Sequence, residues 1–189
     1  MQFRIADSFA KALGKMTAQE QSLVKITVFD LQQDPSAPGL QFHRIDKSKD
    51  QNFWSIRCNR DIRIVVHKTA SSFLICYVDH HDEAYAWAER RRIETHPKTG
   101  AAQIVEVRER VEEISIPVYS AFAEAQSVYE PAKQIQLPLF QNLSGDDLLD
   151  VGVPEDWIDD VLRTTEDNFF EFTDHIPDEA AEALLDYVS

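Results

Sequence analysis

A short and nearly unbroken apolar run lies at residues 72–78, and polar residues follow it at once. A run of this kind predicts a central strand that is buried on both faces. Asp79 follows as the predicted N-cap of a helix. Asp82 and Glu83 then place negative charge in the first helical turn, where the helix dipole favours it. We place the three arginines at residues 90–92 in the last turn.

Two helices are predicted before this strand. Residues 1–6 alternate and indicate an edge strand. Phe9, Leu13 and Met16 then recur at helical spacing, and residues 17–20 (Thr-Ala-Gln-Glu) read as the capping box of a second helix. We therefore expect two antiparallel helices on one side of a sheet.

A hairpin is predicted between strands at residues 53–58 and 62–67, joined across residues 59–61. The apolar positions of the two strands lie on one side of the sheet only if the loop has an odd number of residues. A three-residue loop pairs Ile56 with Ile64.

The same register pairs Arg57 with Arg63 and places them on the opposite face with Ser55 and His67. Like charges directly opposite each other are unfavourable. Two facing arginines therefore indicate an anion between them. The alternative is that aspartate or glutamate side chains pair with them.

The end of the buried strand delivers His80, His81 and Tyr85. His81 and Tyr85 are four residues apart and share one helical face. These side chains form a candidate active site; alternatively, the two histidines only cap and pack the junction. Adjacent helical residues point about 100° apart, and the chain has no HExxH or CxxC motif, so we expect no metal and no cofactor.

Charge divides unevenly along the 189 residues, whose net charge is −14. Residues 1–99 hold 15 Lys and Arg against 12 Asp and Glu, whereas residues 100–189 hold 4 against 21. The first half is suited to approach nucleic acid, and the second half alone would be repelled by it.

The remaining composition indicates a cytoplasmic protein without a membrane partner. No apolar run approaches the ~20 residues that a membrane-spanning helix needs, and no secretory signal is evident. The two cysteines, Cys58 and Cys76, lie in apolar runs and are predicted to be buried thiols.

The order of strand, helix hairpin and antiparallel strands resembles the RelE/ParE superfamily of small bacterial toxins. Residues 52–57, 61–64 and 77–85 carry the resemblance, which covers about residues 1–92. Together with the residues that follow, up to position 100, the sequence also resembles the RelE-like region at the N-terminus of bacterial UvrD/Rep-type DNA helicases.

The toxins cleave messenger RNA on the ribosome. The resemblance implies that Arg57 and Arg63 hold phosphate, and that His81 or Tyr85 acts on the 2′-hydroxyl or the leaving oxygen. The implied catalytic residues of a nuclease are His81, Tyr85 and Arg57. The implied nucleic-acid-binding residues are Lys47, Lys49, Arg57, Arg63 and His80.

A second resemblance lies after a predicted linker at residues 121–134. Gln136, Leu137, Leu139 and Phe140 belong to a pentapeptide, QLPLF, similar to the motif by which bacterial repair and replication proteins bind the sliding clamp. Such peptides insert Leu and Phe into an apolar cleft. The alternative is that the peptide docks onto the RelE-like core of its own chain.

From residue 144 the chain is acidic and is predicted to form three or four short helices. Pro154 and Pro177 are placed at the first helical position, where a missing N–H costs nothing. An internal sequence similarity with an offset of 23 residues relates residues 153–162 to residues 176–185.

The predicted fold is therefore α+β: a RelE-like antiparallel sheet with a helix hairpin (1–99), a connecting segment (100–143) and an acidic helical bundle (144–189). No P-loop motif occurs, so the chain has no such ATPase of its own. The first hypothesis is a nucleic-acid-associated regulatory module that belongs or is related to a UvrD/Rep-type helicase, with the helicase body as a partner. The alternatives are a ribosome-dependent mRNA endoribonuclease toxin and a non-enzymatic adaptor of the sliding clamp.

Overall fold

The computed structural model describes residues 2–107 and 137–188 and divides the chain into two compact units, Met1–Glu94 and Thr95–Ser189. The predicted α+β class is confirmed. The boundaries expected after residues 99 and 143 remain predictions. None of the helices in the described ranges is long and apolar enough to cross a bilayer.

Besides the 3-10 helix Pro38–Leu40, the first unit contains six strands and three α-helices among its described residues, the last strand running one residue past the boundary. They are β1 (Gln2–Ile5), α1 (Asp7–Gly14), α2 (Ala18–Gln33), β2 (His43–Arg44), β3 (Phe53–Arg57), β4 (Ile62–Lys68), β5 (Ser72–His80), α3 (His81–Glu89) and β6 (Arg91–Thr95).

Five strands form one sheet in the order β1-β5-β4-β3-β2. β1 pairs with β5 in parallel, and the other neighbours are antiparallel. The predicted central strand is confirmed, since β5 lies between β1 and β4. The predicted hairpin register is also confirmed, because Ile56 lies opposite Ile64 and Arg57 opposite Arg63.

One side of this sheet packs against α1 and α2. Ile56 and Ile64 are fully buried there in one cluster with Phe9, Val24 and Leu31. The predicted capping box is present at the start of α2: the backbone N–H of Glu20 donates to the Thr17 hydroxyl, and the Glu20 carboxylate accepts from the Thr17 backbone N–H.

The other side of the sheet packs against α3. Ala84 and Ala88 are fully buried, so the helix approaches the strands closely. Ser55 contacts Tyr85 on this side. Ser55 and Ile56 are neighbours in β3 and point to opposite faces, so α3 lies across the sheet from α1 and α2.

Both predicted ends of α3 are wrong. The N-cap is His80 rather than Asp79, because β5 stays paired with β4 as far as His80. The helix ends at Glu89, and the expected last-turn arginines lie at the C-cap and in β6. The backbone N–H of Ile93 in this strand donates to Asp50 Oδ2 at 3.0 Å.

The second unit contains one complete strand, four α-helices and a 3-10 helix within its described residues. They are β7 (Ala102–Glu106), α4 (Gly145–Asp150), the 3-10 helix Glu155–Trp157, α5 (Ile158–Val161), α6 (Phe169–Thr173) and α7 (Asp178–Val188).

The two segments with the 23-residue offset place buried residues at equivalent positions in this unit. Its matched pairs are Val153 and Ile176, Trp157 and Ala180, and Val161 and Leu184, all buried in one cluster. Pro154 occupies the N-cap of the 3-10 helix and not its first position, and Pro177 precedes α7. The predicted placement of the prolines is therefore wrong by one residue.

Candidate functional site

Two arginines face each other at one end of the sheet, on the side that α3 covers. Arg57 Nε and Arg63 Nη1 donate to the same acceptor, the carbonyl oxygen of Asn59, at 3.0 and 2.9 Å. Within the described residues neither guanidinium forms an ion pair with a carboxylate. Among the described residues, no aspartate or glutamate carboxylate thus lies within ion-pair distance of either guanidinium.

The turn at residues 59–61 holds the arginine pair in place. Asn59 Oδ1 accepts the backbone N–H groups of Asp61 and Ile62 at 2.8 and 2.7 Å, an Asx turn that closes the three-residue connection. The Asp61 carbonyl accepts the backbone N–H of His81 at 2.7 Å. The turn therefore joins the arginine pair to the first residue of α3.

His81 and Tyr85 lie on one face of α3, as predicted, and their rings stack with centroids 4.6 Å apart. Tyr85 Oη lies 2.9 Å from Ser55 Oγ, so a hydrogen bond anchors the phenol to the buried middle of β3. His81 Nδ1 lies 2.8 Å from Asp82 Oδ1. In the tautomer in which Nδ1 donates to Asp82, Nε2 carries the lone pair that accepts a proton.

Asp79 completes a row of charges across three strands, since it lies opposite Arg63 in β5. Its carboxylate accepts the backbone N–H of His80 at 2.8 Å and the Tyr77 hydroxyl at 3.1 Å. Burial and the adjacent Asp79 raise the pKa of Tyr77 to about 12, which keeps the phenol a neutral donor. The row of two arginines and one aspartate is left with an excess of positive charge.

Three predicted binding residues lie elsewhere. His80 is paired with Ile62 and lies on the α1–α2 side of the sheet, where its Nε2 is 3.8 Å from Glu20 Oε1. Lys47 and Lys49 are exposed beside Ser48, whose hydroxyl donates to the Ala88 carbonyl. That carbonyl is near the end of α3, about 10 Å along the helix from His81.

The described part of the QLPLF peptide lies partly in the core of the second unit. Phe140 is fully buried, with its ring centroid 5.8 Å from that of Phe169 and 6.0 Å from that of Tyr187. The backbone N–H of Leu139 donates to the Thr164 carbonyl at 2.8 Å. Phe140 therefore belongs to the core of the second unit. Leu137 is 69% exposed, and Gln136 lies outside the described residues.

Cys58 and Cys76 are free thiols, of which Cys58 is half-buried and Cys76 is buried. Burial raises the pKa of the Cys58 thiol to about 11 and also raises that of Cys76. The predicted burial is therefore confirmed for Cys76 and only in part for Cys58. Across residues 2–107 and 137–188, no three His, Cys, Asp or Glu side chains are grouped so as to hold a metal ion.

Ser55, Asn59 and Asp79 contribute to the site but were not among the predicted site residues. Asn59 had a local signal, because asparagine favours short turns that its own side chain can close. The Ser55–Tyr85 contact joins residues 30 positions apart, and no local pattern indicates it.

No family model and no curated protein matches this sequence. Similar solved structures include the toxin–antitoxin complex RelBE2 from Mycobacterium tuberculosis (20% identity over 42% of this chain and 90% of that chain, TM-score 0.34). They also include the RelB–RelE antitoxin–toxin complex from Methanococcus jannaschii (17%, 44% and 96%, TM-score 0.35) and the YoeB/ParE toxin from Agrobacterium tumefaciens (16%, 43% and 99%, TM-score 0.35). At TM-scores below 0.5 these likenesses do not establish the fold or the function of this chain.

Proposed function

We propose that the first unit is a RelE-like domain that binds the phosphate groups of nucleic acid. The observation that carries this proposal is the arginine pair. Arg57 and Arg63 face each other, share one neutral carbonyl oxygen and have no carboxylate partner within the described residues. Facing cations of this kind are stabilised by an anion that binds both.

The donors of the two guanidinium groups are suited to phosphate. In the described residues Arg57 donates through Nε and Arg63 through Nη1. Both terminal nitrogens of Arg57, and Nε and Nη2 of Arg63, retain N–H groups for a ligand. A guanidinium presents such groups as a planar fork that matches two oxygens of one phosphate.

Fluorescence anisotropy with labelled single-stranded RNA and DNA, measured over a range of salt concentrations, tests this proposal. We expect Arg57→Ala/Arg63→Ala to weaken binding at least tenfold at low salt. Loss of two phosphate contacts should also reduce the slope of log K against log salt by about 1.4.

The matched control is Lys47→Ala/Lys49→Ala. It also removes two positive charges, but from the connection that contacts the C-terminal end of α3. It should weaken binding less than the arginine double variant does. Equal losses would show attraction by general charge, and absence of wild-type binding to either polymer would refute the proposal.

A second candidate function is cleavage of RNA at this site. The observation that favours it is the His81 ring, stacked on Tyr85 and held at Asp82, next to the turn that carries the arginine pair. In such a reaction the 2′-oxygen attacks phosphorus and the 5′-oxygen leaves. His81 would accept the proton of the 2′-hydroxyl or protonate the leaving oxygen.

Incubation of a labelled messenger RNA with ribosomes and the full chain distinguishes binding from cleavage. Cleavage by the wild type that His81→Ala abolishes, with RNA affinity unchanged, would establish the second function. If the RNA stays intact while the protein is bound to it, only the phosphate-binding function is supported. The helicase relationship rests on the sequence resemblance and stays a prediction. Clamp binding is not proposed, because Phe140 is buried.

A further inference from the structure

The second unit exposes large apolar side chains on one connected set of rings. Phe170 is 73% exposed and Tyr187 is 51% exposed. Two buried rings link them: the Phe169 centroid lies 5.6 Å from that of Phe170, and the Phe140 centroid lies 5.8 Å from Phe169 and 6.0 Å from Tyr187. We call Phe170 and Tyr187 the apolar patch.

The apolar patch is mounted on the core of the unit. Phe170 follows the buried Phe169 in α6, and Tyr187 lies in α7, three residues after the buried Leu184. Because one cluster of buried rings supports both exposed rings, they form a candidate interaction site.

The charge around the patch restricts what can cover it. Residues 137–188 contain fifteen Asp and Glu, and Arg163 is their one Lys or Arg. Glu171 and Asp186 are exposed and adjacent in sequence to Phe170 and Tyr187. A second copy of this surface, a nucleic acid or an anionic lipid would all meet repulsion here. The occupant must therefore combine apolar anchors with positive charge.

We propose that the apolar patch binds a basic amphipathic helix of a partner protein. Apolar residues of that helix at positions i, i+4 and i+7 would contact the exposed rings, and its lysines and arginines would face the surrounding carboxylates. These positions span about two helical turns, or about 11 Å.

Fluorescence anisotropy on the full chain tests this with a labelled Leu/Lys peptide of about 18 residues that forms an amphipathic helix. The comparison peptide is an isomer of the same composition without one apolar face. The amphipathic peptide should bind at least tenfold more tightly. Phe170→Ser/Tyr187→Ser should remove most of that difference with the circular dichroism spectrum unchanged. The matched control is Phe29→Ser, a 59% exposed phenylalanine of the first unit, which should leave binding unchanged.

Three outcomes would overturn the proposal. Equal binding of the two peptides would show that the acidic surface alone attracts them. Absence of binding, or binding that Phe170→Ser/Tyr187→Ser does not change, would exclude the patch. Self-association of the chain that the double variant removes would identify a second copy as the occupant.

Discussion

The two ends of the sheet face that α3 covers differ in how their charges are satisfied. At one end, His67 Nε2 lies 3.5 Å from Asp50 Oδ2, and the Asp50 carboxylate accepts the backbone N–H groups of Asn52 and Ile93. At the other end, Arg57 and Arg63 face each other and share a carbonyl oxygen. The first end is satisfied by the protein itself, whereas the second end retains unused donors.

This difference indicates which end serves stability and which serves binding. Like charges directly opposite each other in a sheet are destabilising, so the fold tolerates them only because other contacts stabilise it. Sites at which a chain breaks a local rule of stability are frequently functional. The paired end near Asp50 supplies stability, and the arginine end is the place to seek a ligand.

The largest effect is expected from Asp50→Ala. The change removes the acceptor of two backbone N–H groups, at 2.9 and 3.0 Å, from a side chain that is 10% exposed. The free energy of unfolding should fall by about 2–4 kcal/mol, measured by urea denaturation. Asp46→Ala, in the same connection but exposed, should change it by less than about 0.5 kcal/mol. Equal effects of the two variants would contradict a special role for Asp50.

The second effect concerns pH. Burial lowers the pKa of His67, and the nearby Asp50 opposes this in part. The unfolded chain therefore binds the proton more readily than the folded chain does. The contribution of neutral His67 to the free energy of unfolding is fully present above the ordinary histidine pKa, near 6.5. It is lost as the pH falls from there through the lower pKa of the folded state.

Urea midpoints between pH 7.5 and pH 5.5 measure this effect. The wild type should lose stability on acidification, and His67→Gln should lose less than the wild type. His43→Gln, which changes an exposed histidine at the edge strand β2, should behave as the wild type does. A His67→Gln profile that parallels that of the wild type would show that His67 does not cause the pH dependence.

How far the sequence predicts this arrangement depends on the distance between the interacting residues. The facing arginines follow from strand alternation and loop length, and the His81–Tyr85 stack follows from helical spacing. The strand β6 was missed, because its arginines also suit the end of a helix, and the bond from Ile93 to Asp50 spans 43 residues. The burial of Phe140 depends on Phe169 and Tyr187, which lie far along the chain.

The smallest change in stability is expected at the arginine end, and it separates a binding role from a structural one. Arg57→Ala/Arg63→Ala removes four side-chain hydrogen bonds to backbone carbonyls, three of them exposed, together with a like-charge contact, so the free energy of unfolding should change by less than about 0.5 kcal/mol. Inorganic phosphate should raise the urea midpoint of the wild type more than that of the variant, because a ligand stabilises only the state that binds it. Sodium chloride at matched ionic strength is the control for screening. A large loss of stability in the variant, or an equal gain from phosphate in both proteins, would show that the facing arginines belong to the fold and not to a ligand site.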